Sequence, residues 1–276
     1  MSAYRHGRHE HGQNFLIDTT IVNVCVQHVA RTSGPIVEIG PGSGALTFPM
    51  SRLGRPIIAV EIDATMVKTL NRAKSGGSID ILHADFLSYQ LPTYPHVVAG
   101  NIPFSLTTAI LRKLLRAPGW TDAVLLMQWE VARRRGGVGG VTMMTAQWAP
   151  WFTFELGERV PRSAFKPRPN VDGGILLISR VDEPEVSVKD QKAFQAMVHS
   201  VFTGKGRGLA EILARARLFE SKTRARRWLE SRGISASALP PNLSRIDWVD
   251  LFAQTAQTPS RTHRASRGGA TRQDGG

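Results

Sequence analysis

Ile36-Val37-Glu38-Ile39-Gly40-Pro41-Gly42-Ser43-Gly44 decides the fold. Its first half is β-branched and apolar and too short for a helix, so it reads as a buried strand. Its second half is a glycine turn opening a helix, where missing Cβ atoms let the backbone approach a ligand. The turn alone leaves the ligand open. Gly40, Gly42 and Ala45 also satisfy the dinucleotide pattern, and Glu61 lies near the spacing of its ribose-binding acid, so a nicotinamide dehydrogenase fits up to this point. A tight turn with no ligand fits less well, because three glycines cluster immediately after an apolar strand.

Outward from this turn, short β-rich runs alternate with helical segments. Strands are expected at Ile36 to Ile39, Ile57 to Glu61, Ile79 to His83, His96 to Ala99, Ala123 to Gln128, Phe152 to Val160 and Gly174 to Arg180. The alternation predicts an α/β fold with an open, mostly parallel sheet, and the missing helix between the last two strands predicts an antiparallel pair at its end. Asp18 is the expected N-cap of a helix ending near Ser33-Gly34-Pro35. Four segments follow: a flexible basic arm over 1–12, a catalytic domain over 13–183, a small all-helical domain over 184–256 and a disordered basic tail over 257–276. His6, His9 and His11 lie in the arm without an accompanying cluster of carboxylates or thiols, so no metal is expected.

Two further carboxylates narrow the ligand. Glu61 ends the second strand and Asp85 lies just beyond the third, and in a doubly wound sheet such strand ends line one crevice. A Glu there accepts both ribose hydroxyls and an Asp accepts from an adenine amino group, which together recognise an adenosine without phosphates. Glu38 disfavours a pyrophosphate and suits the cationic sulfonium or amino group of S-adenosylmethionine. Each acid also has a simpler use, as a cap on a helix start: Asp63 does that better than Glu61, whereas Asp85 fits it.

Gly100-Asn101-Ile102-Pro103-Phe104 follows the fourth strand. Adenine N6 is conjugated into its ring and barely nucleophilic, so methylating it needs acceptors that align its hydrogens. The Asn101 side-chain oxygen and the Ile102 carbonyl supply two, Pro103 stiffens the turn and Phe104 stacks on a flipped base. A capping turn would explain Asn101 and Pro103 but not Phe104.

Lys and Arg total 35 against 22 Asp and Glu, a net charge of +13 that favours a polyanionic partner. No apolar run reaches membrane-spanning length and the N-terminus does not read as a signal peptide, so nucleic acid in the cytoplasm is expected rather than a membrane. The single cysteine, Cys25, excludes an internal disulfide and a cysteine metal cage and reads as core. Arg133, Arg134 and Arg135, with the Lys and Arg residues at 205, 207, 215, 217, 222, 224, 226, 227 and 232, are candidate phosphate contacts, while Trp228 reads as core.

Taken together, Gly12 to Leu16, the glycine turn, Glu61, Asp85, Asn101 to Phe104 and Phe165-Lys166-Pro167-Arg168-Pro169-Asn170-Val171-Asp172-Gly173 resemble the ribosomal RNA adenine N6-methyltransferases, specifically the Erm resistance enzymes. Met127 to Arg134 is similar to their actinobacterial branch. The resemblance implies the Rossmann-like seven-stranded sheet of class I methyltransferases, S-adenosylmethionine as cofactor, 23S rRNA as substrate and a monomer needing no protein partner. It places Asn14 and Leu16 around the methionine part of the cofactor, Gly40 and Gly42 in its backbone cradle, Glu61 on the ribose, Ile62 beside the adenine, Asp85 on its amino group and Asn101 on both cofactor and target. It also implies that Phe104 and Phe165 sandwich the target adenine; Lys166 and Arg168 of the matching run, with Lys205 and Arg207 of the basic segment, are the candidate RNA contacts. The alternatives are the related small-subunit 16S rRNA dimethyltransferases, in which a serine-containing pair usually stands where this chain has Asp172-Gly173, and a noncatalytic RNA-binding factor on the same fold.

Overall fold

The computed structural model describes residues 14–256 except 75 and 77, so the arm with its histidines, Gly12, Gln13 and the tail lie outside the described residues. The elements run β1 (Phe15–Leu16), α1 (Thr19–Ala30), β2 (Ile36–Ile39), α2 (Thr47–Ser51), β3 (Ile57–Glu61), α3 (Ala64–Ala73), β4 (Ile79–His83) and β5 (His96–Asn101). They continue with α4 (Thr107–Arg116), β6 (Trp120–Gln128), α5 (Trp129–Arg135), α6 (Met143–Trp148), β7 (Phe152–Val160), β8 (Phe165–Lys166) and β9 (Gly173–Arg180). The chain divides into two compact units between Glu185 and Val186.

In the first unit a seven-stranded sheet has the order β4-β3-β2-β5-β6-β9-β7. Its first five strands are parallel, and β9 runs antiparallel to both β6 and β7. The expected antiparallel pair therefore forms with β9 inserted between β6 and β7. All four residues of β2 are buried, because a central parallel strand is covered on both faces. That is what forces Glu38 out of water.

Two strands outrun their sequence signal. β5 continues through Gly100 and Asn101, poor strand formers held by pairing to Leu125 and Leu126. A Cβ on Gly100 would lie 2.6 Å from the Ile39 carbonyl oxygen, so only glycine lets β5 pass this close to β2. β6 starts at Trp120, whose ring stacks on Phe152 at 5.0 Å and 12° with the Arg180 guanidinium 4.7 Å from the Phe152 centroid. Such a stack adds about 0.5–1.5 kcal/mol to the burial of the rings.

Asp18 caps α1 by accepting from Thr20 N (2.8 Å) and Ile21 N (3.2 Å), as its sequence position predicts. Cys25 is buried on that helix, and burial pushes its thiol up to about 12, which leaves it inert.

The second unit contains α7 (Gln191–Phe202), α8 (Leu209–Arg215), α9 (Lys222–Ser231) and α10 (Arg245–Ala256). Its core holds Phe194 edge-on to Phe252 at 5.4 Å and Phe202 stacked on Trp248 at 5.6 Å. Trp228 is buried, as expected, and donates from Nε1 to Asp250 at 2.8 Å. Among the described residues no helix is long and apolar enough to cross a membrane.

Candidate active site

The glycine turn works by conformation and by contact. Gly40 (φ +59°) and Gly42 (φ +53°) sit in the left-handed region that side chains avoid. A Cβ on Gly40 would meet open space, whereas one on Gly42 would lie 3.0 Å from the Phe15 ring. The Gly42 amide donates to Glu61 Oε2 at 3.0 Å, and Glu61 Oε1 accepts from Asp63 N at 2.9 Å. In a dinucleotide site the turn's amides serve a pyrophosphate; here one is given to a carboxylate 1% exposed. The helix after the turn is also only Thr47–Ser51 with no side-chain cap, a weak anchor for phosphates. The dehydrogenase alternative loses its ground on these two observations.

Glu38 lines the same recess, is 1% exposed, and its Oε2 has no hydrogen-bond partner among the described residues. Burial raises its carboxyl to about 8, partly offset by the nearby Thr47 hydroxyl and reinforced by Glu61. A buried acid short of a partner fits a cationic ligand.

At the next strand ends, the pairing of Glu61 with His83 and the Ala84 N to Glu61 O bond of 2.9 Å set Asp85 beside Glu61's end of the crevice. Asp85 Oδ1 accepts from Leu87 N at 2.8 Å, but no helix starts there: the bond closes a turn between β4 and β5, and Oδ2 stays unengaged among the described residues. Ile62 is 47% exposed, a bare apolar surface next to Glu61 that suits a purine face. Asp63, not Glu61, caps α3, accepting from Thr65 N at 2.7 Å. Sequence reasoning missed Lys113: its Nζ donates to Leu87 O (3.0 Å) and Tyr89 O and lies 5.6 Å from the Phe86 centroid, clamping the loop that carries Asp85. Only the amphipathic spacing of α4 signalled that this residue faces inward.

Asn101 Nδ2 donates to the Asn14 carbonyl at 2.8 Å, which leaves the side-chain oxygen as the free acceptor. Ile102 N donates to Leu126 O at 2.9 Å and fixes the turn that presents Pro103 and Phe104. Asn14, Leu16, Glu38, Gly40, Gly42 and Asn101 to Phe104 all line one cavity; Glu61, Ile62, Asp85 and Phe165 do not. Glu61 joins it through Gly42, and Phe165 through Phe104.

β1 and β8 were not foreseen. They pair antiparallel, Phe15 with Lys166 and Leu16 with Phe165. Phe165 is 3% exposed and meets Phe104 at 6.4 Å with the rings inclined by 77°. A base between two parallel rings needs roughly 3.5 Å on each side, so the expected sandwich is not preformed: the rings already touch edge to face, leaving Phe104 as the stacking surface. A Cβ on Gly173 would lie 3.0 Å from the Phe165 ring, which accounts for glycine in the Asp172-Gly173 pair. Asp172 holds that loop by accepting from Arg162 N (2.9 Å) and Arg159 Nε (2.9 Å), and these donors keep its carboxyl below the usual range.

The basic residues divide. Arg134, Lys166 and Arg168 are exposed, and Arg133 makes only a long contact to Glu130 at 3.5 Å. Arg135 corrects the expectation of a phosphate contact: its Nη1 is bonded to Thr142 Oγ1 at 2.7 Å and its guanidinium is half-buried. Within the second unit Lys205 and Arg207 are exposed, but Arg215 pairs with Glu211, Arg224 with Glu220, and Arg232 with Asp247 and Asp250. The run from 205 to 232 is thus less free for RNA than its charge suggests. Among the described residues no group of three or more His, Cys, Asp or Glu is placed to hold a metal.

A strand-end crevice that spends its turn on a carboxylate, keeps a cation-seeking acid at its floor and ends in an amide acceptor suits a sulfonium nucleoside. Fold and crevice together define an S-adenosylmethionine-dependent methyltransferase. The sequence pattern of the ribosomal RNA adenine dimethylases matches residues 5–257, and the chain belongs to that family. It is 65% identical over 219 residues to an rRNA adenine N-6-methyltransferase of Corynebacterium diphtheriae, covering 79% of this chain and 87% of that one. It is 42% identical over 262 residues to the mycinamicin-resistance protein MyrB of Micromonospora griseorubida, covering 95% and 83%. The crystal structure of the 23S rRNA methyltransferase ErmE superposes with a TM-score of 0.79 at 31% identity, covering 88% of this chain and 100% of ErmE.

Proposed function

We propose that this enzyme methylates the N6 amine of an adenine in the peptidyl transferase region of 23S rRNA, and that the modification confers macrolide, lincosamide and streptogramin B resistance. Similarity to MyrB and ErmE supports the substrate and the phenotype. The observation that carries the reaction is Asn101, whose amide nitrogen is committed to Asn14 so that its oxygen is left to accept from an amine. S-adenosylmethionine, when bound, supplies an electrophilic methyl group. Asn14 and Leu16 enclose its methionine part, and Gly40 and Gly42 form the backbone floor beneath it. Glu61 holds the ribose, Ile62 covers the adenine, and the free oxygen of Asp85 takes its amino group. Glu38, short of a partner and buried, ionises toward the cationic end of the ligand.

On the target side Phe104 stacks on the flipped base, with Phe165 against its edge. The Asn101 oxygen and Ile102 carbonyl accept the two N6 hydrogens and localise the lone pair. No strong base is needed, because the methylated amine sheds its proton readily. Arg133, Arg134, Lys166 and Arg168 in the first unit, and Lys205 and Arg207 in the helical second unit, contact phosphates. The enzyme works as a cytoplasmic monomer on protein-free or precursor rRNA.

Mass spectrometry of 23S rRNA from cells with and without the gene tests this: a methylated adenine in the peptidyl transferase region is expected only with the gene. Labelled methyl entering 30S particles but never protein-free 23S rRNA would overturn it in favour of the small-subunit reaction.

A further inference from the structure

A second recess lies beside the loop that carries Phe165, and neither the cofactor nor the target adenine accounts for it. Its floor is layered. A Cβ on Gly174 would lie 2.7 Å from Trp129 Cε3, so the indole rests directly on β9. The Arg159 guanidinium lies over that indole, 5.3 Å from its centroid. Asp172 Oδ2 locks it there, accepting from Nε at 2.9 Å and pairing with Nη2 at 2.8 Å. Yet the Arg159 side chain is 61% exposed, so a planar cation held rigid from beneath still faces solvent above.

Around this floor stand Asn170, whose amide makes no hydrogen bond among the described residues, exposed Val171, and Arg162, whose guanidinium has neither a hydrogen bond nor an ion pair among them. Fixed guanidinium planes stack unpaired RNA bases, amides read base edges, and free arginines take phosphates. Asn170 is five residues from Phe165, at most about 17 Å of extended chain, a reach that neighbouring nucleotides of a splayed strand can cover. We infer that Trp129, Arg159, Arg162, Asn170 and Val171 form a subsite for an unpaired ribonucleotide adjoining the target adenine. The inference rests on the RNA reading above and adds a second base contact to it.

The test uses the full chain and an RNA hairpin containing the target adenine, with abasic substitutions scanned on both sides of it. For the wild type, one adjoining abasic position raises the RNA KM about 5- to 150-fold, the range of losing one stacked base. In Asn170→Ala that same position costs less than in the wild type, because the base-edge contact is already gone. In Arg162→Ala the RNA KM rises for every hairpin and the salt dependence falls by about one charge. Both variants keep wild-type S-adenosylmethionine affinity by calorimetry, which confirms their fold; should either lose it, Asn170→Ser and Arg162→Gln carry the same comparison. Asn170→Ala effects that merely multiply with every abasic effect, or an unchanged RNA KM in Arg162→Ala, would overturn the subsite. A wild-type protein that binds S-adenosylmethionine but methylates none of these RNAs would overturn the proposed function itself, and the subsite with it.

Discussion

Glu38→Gln isolates the most strained electrostatic feature of the site. The carboxyl is fully buried and raised from 4.5 to about 8 by desolvation. Between those values the folded chain keeps a proton that the unfolded chain has released, so stability falls as pH rises. At 1.36 kcal/mol per pH unit the loss accumulates to on the order of 5 kcal/mol by the time pH passes the folded value. Glutamine keeps the shape and stays neutral, so the variant does not lose this amount. Urea denaturation of the cofactor-free protein from pH 5 to pH 9 reads the difference. The variant should match the wild type near pH 5 and exceed it by several kcal/mol near pH 8.5, while binding S-adenosylmethionine more weakly because the anion is gone. Curves that stay parallel across the whole range would refute the argument that Glu38 is neutral in the folded protein.

Three other substitutions address neighbouring parts of the crevice. Asn101→Ala should cut single-turnover methyl transfer by at least about 10²-fold, the usual cost of one oriented polar group at a reacting centre; a rate within threefold of the wild type would remove Asn101 from the chemistry. Lys113→Met, which frees the Asp85 loop, should raise the KM for S-adenosylmethionine about tenfold, the loss of one charge-assisted hydrogen bond, with kcat unchanged and Lys113→Arg restoring it. Gly42→Ala forces a side chain into φ +53° and against the Phe15 ring, at a strain of about 1–2 kcal/mol; thermal melts should show that loss and calorimetry a weaker cofactor site, whereas an unperturbed variant would contradict the close packing of β1 on the turn.

What was legible in the sequence is what local pattern encodes. The run Ile36 to Ile39 is apolar and bounded by glycine, so strand, turn and the burial of Glu38 follow from one another. Asp18 announces its helix by capping chemistry alone. The misses are tertiary. Gly100 and Asn101 carry no strand signal and join β5 only because β6 pairs with them. Arg135 belongs to an arginine run like its two neighbours, and only the position of Thr142 turns it inward. Phe165 shows its aromatic character in the sequence but not its 77° inclination to Phe104, which depends on Gly173 and the Asp172 latch. Arg232 looks like free charge until Asp247 and Asp250 fold against it, whereas the pairs of Arg215 with Glu211 and Arg224 with Glu220 are four residues apart and are legible from spacing alone.

The ladder between Phe15–Leu16 and Phe165–Lys166 is only two residues long on each side. Side chains alternate along a strand, so a slip of one residue in either strand would exchange that strand's own inward and outward positions. Leu16 lines the recess proposed above for the methyl donor, and Phe165 packs against Phe104, the proposed stacking surface for the acceptor base. An insertion or deletion near either strand would therefore misalign donor and acceptor together. Because the two segments pair across most of the first unit's sequence, a chimera that takes one from a distant relative should need the other from the same source.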